Sequence, residues 1–191
     1  MISKQGKNLS LAIVAGLIFG LAAWGVSING APLTYYFIQD NWLVYEGLYW
    51  QLLTSLFVVV PTLPGVADVL FNTVAVVWLD GLLSHEFSEV EYYSVFLLSG
   101  LAGNIASLLN GPNAASFGAS GGIFGLLAGA VAQDFTVERR VDYNLLGWFL
   151  AIFIFSSFAL SYVDWLAHLG GAAFGLAVGY LLGTRRGSEI L

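Results

Sequence analysis

The sequence predicts an all-α fold, a bundle of six membrane-crossing helices, and three observations carry that prediction. Only 9% of the 191 residues are charged and 58% are apolar, whereas a soluble domain carries roughly a quarter charged residues. Apolar runs near the ~20 residues needed to cross a bilayer recur at 9–28, 66–83, 92–109, 117–131, 145–163 and 165–182. The fourth and sixth runs carry glycines at four-residue spacing, which allows close backbone approach between helices. The 4 prolines and 23 glycines are scattered through the apolar runs rather than gathered in linkers, so 1–191 reads as one membrane domain.

Composition also narrows the chemistry. Without cysteine there is no disulfide framework, thiolate nucleophile or sulfur-ligated metal. A net charge of −6 argues against nucleic acid as a partner, because phosphate neutralisation needs clustered Lys and Arg. No metal or other cofactor is expected.

Taken in order, the first run is longer than the 7–15 residues of a signal-peptide core and no small-x-small cleavage site follows, so it reads as a retained helix. Segment 29–64 is too long for a tight turn and rich in aromatics, including Tyr35, Tyr36, Phe37, Trp42, Tyr45, Tyr49 and Trp50, which favour the headgroup level. It reads as a structure lying in the interface, partly immersed over 52–60, with Pro61 and Pro64 breaking any helix before the second span. An anchoring loop and a gate are both open readings.

Six crossings place both termini on one side. Lys4 with Lys7, Arg139 with Arg140 and Arg185 with Arg186 all fall there, so that side is cytoplasmic by the positive-inside rule. The loop between the second and third spans, with Glu86, Glu89 and Glu91, gives no orientation signal, and His85 reads as a solvated residue of that loop.

The fourth run is the unusual one. At about 15 residues it makes a helix of roughly 22 Å against a hydrocarbon core of about 30 Å. Gln133, Asp134 and the Arg139–Arg140 pair fix its cytoplasmic end, so Gly118-Ala119-Ser120-Gly121-Gly122 should start below the outer surface, with Asn110-Gly111-Pro112-Asn113 dipping inward to meet it. Irregular backbone at that depth requires cover or water, which implies a cavity open to the outside. Ser120 would then lie in a first helical turn, where unpaired N–H groups and the helix dipole favour a developing oxyanion.

The sixth run carries His168 one turn inside its outer end, and an ionisable residue in a spanning helix is a functional-site candidate by default. A histidine at the depth of Ser120 can take the serine proton and return it to a leaving amine, the minimal need of acyl transfer. Gly121, Gly125 and Gly129 on one helix, with Gly171, Gly175, Gly179 and Gly183 on the other, provide a way to bring the pair within reach. Asp164 lies four residues before His168 and could orient the ring, but directly before an apolar run it reads first as an N-cap.

Two segments, Gly118-Ala119-Ser120-Gly121-Gly122-Ile123-Phe124-Gly125 and Val163-Asp164-Trp165-Leu166-Ala167-His168-Leu169-Gly170-Gly171, resemble the signature segments of rhomboid intramembrane proteases. Trp50-Gln51-Leu52-Leu53-Thr54 is similar to that family's first-loop motif, and Asp68-Val69-Leu70-Phe71-Asn72 to its second-helix motif; the first helix carries no motif. The resemblance implies Ser120 as nucleophile and His168 as base in a dyad without carboxylate, and Phe124 packed on the histidine ring. It also implies the Asn72 amide and the Ser120 backbone N–H as oxyanion hole, with Gly118 and Gly121 in support. Three positions depart from the family pattern: Asp68 where a histidine is common, Gln51 where arginine is usual, and Asp80 where glycine is usual. A carboxylate at 68 would repel an oxyanion.

The implied activity is that of an intramembrane serine endopeptidase cutting in or near the transmembrane segments of other membrane proteins. The implied setting is a prokaryotic plasma membrane, with the active site opening outward. The alternative is a silent relative that binds membrane clients; such relatives usually lack the serine or the histidine, and this chain keeps both. A transporter would show more charge at midplane than Asp68, Asp80 and His168.

Overall fold

The computed structural model of the chain describes residues 2–138, 142–158 and 163–189. Among them are eight α-helices: α1 (Lys4–Trp24), two short pieces α2 (Asn41–Tyr45) and α3 (Gln51–Thr54), then α4 (Leu63–Glu86), α5 (Glu89–Ser107), α6 (Ser120–Glu138), α7 (Tyr143–Phe158) and α8 (Trp165–Glu189). Two-residue strands complete the fold: β1 (Ser27–Ile28) pairs antiparallel with β2 (Ala31–Pro32), and β3 (Gln39–Asp40) with β4 (Ala115–Ser116). The protein is all-α in architecture, and the six long helices follow the six apolar runs.

By length and composition, four stretches among the described residues are suited to cross a membrane: Lys4–Trp24, Leu63–Gly81, Glu89–Asn110 and Trp165–Gly187. The apolar stretch Tyr143–Ser157 is shorter. One buried core joins the bundle, running from Leu9 and Ile13 through Val76, Leu79, Tyr92 and Phe96 to Leu126, Leu127 and Leu145.

The packing centres on α6 and α8. A Cβ added at Gly171 would lie 2.1 Å from the Gly121 carbonyl oxygen; at Gly175, 2.0 Å from that of Gly125; and at Gly179, 2.0 Å from that of Gly129. The constant offset between partners means that the two helices run parallel and in register, with both N-terminal ends together. No side chain larger than hydrogen fits that seam, so dispersion between backbones replaces side-chain interdigitation.

Several boundaries differ from those expected. α6 begins at Ser120 rather than at 117 and continues to Glu138 rather than ending near 131, which makes 19 residues. Its length of about 28 Å removes shortness as a reason for a recess. Polar Gln133 does not stop the helix because it is buried and its amide donates to the Glu86 carbonyl. The acidic loop between the second and third spans shrinks to residues 87–88, because Ser88 caps α5 in a reciprocal box with Glu91. His85 is thus an exposed residue of the last turn of α4, not of a loop. Pro64 stands inside the first turn of α4 rather than before it, at a position where no N–H is needed. The Arg139–Arg140 pair lies outside the described residues, as does part of the fifth expected run.

Segment 29–64 is tied down by buried polar side chains. The Gln39 amide donates to Asn41 Oδ1 at 2.8 Å and to the Asn104 carbonyl at 2.9 Å. Asn41 in turn donates to the carbonyls of Ser107 and Gly111. Gln51 is fully buried, accepting from the Asp40 N–H at 2.9 Å and donating to the Tyr35 carbonyl at 3.0 Å. The glutamine therefore anchors this segment. Asp80, at the far end of α4, accepts from the backbone N–H and hydroxyl of Ser3 and so fixes the start of α1.

Candidate active site

The turn before α6 is set by contacts with distant segments. β4 hangs on β3, and the Gly118 N–H donates to the Ser55 carbonyl at 2.8 Å. The Ser55 hydroxyl itself accepts from the Asn104 amide at 2.9 Å. Gly118 has φ +112°, where a side chain is strained, and an added Cβ would meet the Asp68 carboxylate at 2.5 Å. Ser120 follows as the first helical residue, so its own N–H is one of the unpaired donors of the first turn.

The parallel glycine seam brings α8 alongside. His168, 2% exposed, places Nε2 at 2.8 Å from Ser120 Oγ. Phe124, one turn below the serine, packs on the imidazole with ring centroids 4.6 Å apart and planes at 50°. His168 therefore touches both Ser120 and Phe124, the residues expected as nucleophile and packing aromatic. Gly121 contributes the close approach to α8: its carbonyl faces Gly171.

Asn72 is also here. It is 6% exposed, lines the same cavity as Ser120 and His168, and donates from Nδ2 to Asp68 Oδ2 at 2.8 Å. An amide has two N–H groups, so one remains for another acceptor. Asp68 is thus engaged with the expected oxyanion donor from one turn away on α4.

Asp164 does not reach the imidazole. Its carboxylate accepts from the Ala167 N–H at 3.2 Å, from the Asn110 amide at 2.9 Å and from the Ser107 hydroxyl, as an N-cap tied to the end of α5. The neighbour of His168 Nδ1 is instead the Ser157 hydroxyl of α7, at 2.8 Å. Sequence reasoning missed Ser157, and also Phe153, whose ring meets that of Phe124 edge to face with centroids 5.2 Å apart. The available signal was the adjacent pair Ser156 and Ser157 within a long apolar run.

Two cavities meet at the Ser120–His168 pair. The larger, about 430 Å³, is mostly apolar and runs between α4 and α7 past Phe71, Val74, Trp78, Ile152 and Phe155. The smaller, about 50 Å³, lies toward β4 and is bordered by Asn104, Ser116 and Asp164. Asp68, Ser120 and His168 line both.

Comparison with known proteins gives a consistent picture. The Rhomboid domain family matches residues 46–185. The chain is similar to Rhomboid protease GluP of Bacillus subtilis (strain 168), at 29% identity over 195 residues, covering 96% of this chain and 37% of that protein. It is 28% identical over 178 residues to the YdcA protein of the same organism, covering 91% and 83% of the two chains. RHOMBOID-like protein 4 of Arabidopsis thaliana is 30% identical over 122 residues, 62% of this chain and 31% of that one. The chain thus spans only about a third of the length of GluP and of RHOMBOID-like protein 4.

Proposed function

The chain belongs to the rhomboid family and is an integral membrane protein, and from that premise we propose that it is an intramembrane serine endopeptidase with Ser120 as nucleophile and His168 as general base and acid. The observation that carries this reading is the 2.8 Å contact between Ser120 Oγ and His168 Nε2. In the proposed reaction Ser120 Oγ attacks the scissile carbonyl as its proton passes to Nε2. The new oxyanion meets the Ser120 backbone N–H and the free N–H of Asn72. Collapse breaks the C–N bond, the proton passes from Nε2 to the leaving amine, and water repeats the sequence on the acyl-enzyme.

The two cavities fit the two reactants. An apolar cleft between α4 and α7 suits a substrate segment entering sideways from lipid, and the small polar cavity has room for a few waters. α6 and α7 are counted as spans with the other four long helices, which puts both termini in the cytoplasm and the small cavity on the outer side. Residues 1–191 then form one six-span domain, in the setting of a prokaryotic plasma membrane.

A recessed site is supported by level rather than by helix length. Gly118 packs on Asp68, which lies five residues inside α4. α6 therefore starts about 8 Å below the start of α4. Substrates are membrane proteins whose spanning helix is weak near its outer end, because an intact helix hides its carbonyls.

The alternative, a silent client-binding relative, is favoured by one feature, the Asp68 carboxylate beside the oxyanion donor. The deciding experiment is cleavage of a single-span substrate with a weakened outer helix end by purified wild type, Ser120→Ala and His168→Ala. Cleavage by wild type alone is the expected result. Binding without cleavage by folded wild type would establish the alternative.

A further inference from the structure

We propose that Ser157 is a positioning residue for the base, holding the His168 ring in the tautomer and orientation that Ser120 needs; this rests on the proteolytic reading above. Nε2 can receive the Ser120 proton only if it is unprotonated, so the neutral ring must carry its proton on Nδ1. That N–H needs an acceptor in a site where His168 is 2% exposed, and the Ser157 hydroxyl stands 2.8 Å away. Ser157 is itself only 6% exposed. When Nε2 takes the serine proton, the ring becomes a cation whose Nδ1–H still donates to Ser157 Oγ, a stronger bond than in the neutral ring. The proton then leaves from Nε2 to the amine, and Ser157 neither gains nor loses one.

The arrangement replaces the carboxylate of a triad with a hydroxyl borrowed from another helix. Asp164, the carboxylate nearest in sequence, is turned to the α8 amides and the end of α5. Around the imidazole, the titratable neighbours among the described residues are Asp164 on its own helix and Asp68 across the cavity from α4. α6 presents Ser120 and Phe124, and α7 presents Phe153 and Ser157. Because Ser157 comes from α7, the wall of the large cavity, the setting of the base depends on how that helix is seated.

The test uses the full chain reconstituted in liposomes, as wild type, Ser157→Ala and Ser157→Thr. Two rates are followed across pH: cleavage of a single-span substrate and labelling of Ser120 by a fluorophosphonate. Ser157→Ala is expected to lower kcat roughly 10-fold or more with KM nearly unchanged. It should also move the acid limb of both profiles to lower pH, because the imidazolium has lost an acceptor, and Ser157→Thr should restore both. A Ser157→Ala protein with wild-type kcat and unmoved limbs overturns the proposal. So does an equal loss in both variants tracking a fall in melting temperature, which would mean a packing role only. Wild type that neither cleaves nor labels at Ser120 removes the proteolytic reading and this inference with it.

Discussion

The seam between α6 and α8 and the flank between α4 and α7 are built on opposite principles. Along the seam, glycines bring backbone onto backbone at three successive levels, with no side chain whose rotation could loosen the fit. Along the flank, a cavity of about 430 Å³ separates the helices, and they meet through Trp78 and Trp148, edge to face at 4.3 Å. Ser120 and His168, the proposed nucleophile and base, sit on that seam. Asn72 and Ser157, the side chains proposed to assist them, come from the two helices of the flank. Precision and access are thus assigned to different helix pairs.

The sharpest way to break this contrast is to place a side chain in the seam. Gly175→Val drives its Cβ into the Gly125 backbone, well inside van der Waals contact of the carbonyl oxygen, and is expected to cost about 3 kcal/mol or more. Thermal unfolding in detergent should show the loss, with Ser120 labelling abolished. Asn72→Ala removes a flank donor without touching the seam; its expected effect is a loss of about 100-fold in kcat with little change in melting temperature. Asp68→Asn keeps an acceptor for Asn72 but removes the ionisable carboxyl beside the proposed oxyanion donor, and should raise kcat/KM roughly 3–10-fold. A fall instead would make the carboxylate a necessary partner of Asn72. The smallest effect belongs to Gly147→Ala on α7, where an added Cβ meets nothing within 4 Å. Helix propensity predicts a stability change of at most about 1 kcal/mol, upward, against the collapse expected for the same type of residue at 175.

These regions were unequally legible. The long helices and the seam were readable because apolar length and four-residue glycine spacing are periodic signals. Ser120 and His168 were readable because they sit on those helices at matching levels, and Phe124 through the resemblance of its segment to the rhomboid signature. The far end of α6 was not, since Gln133 looks like a stop until Glu86 is known to cover it. The anchoring of segment 29–64 was hidden for a related reason. Gln39, Asn41, Gln51 and Asn104 satisfy one another and nearby carbonyls across long sequence separations, and no local pattern announces such partners. Ser157 escaped because a hydroxyl in an apolar helix commonly bonds its own backbone.

The 48 residues that separate Ser120 from His168 also order events during biosynthesis. Chains are made at about 5–20 residues per second, so the serine emerges roughly 2–10 s before the histidine. Through that interval the growing protein carries the proposed nucleophile without its proposed base, and a glycine face on α6 with no partner. On the proposed reading, arrival of α8 arms the site and closes the seam in one event, so that the insertion machinery handles an inert intermediate.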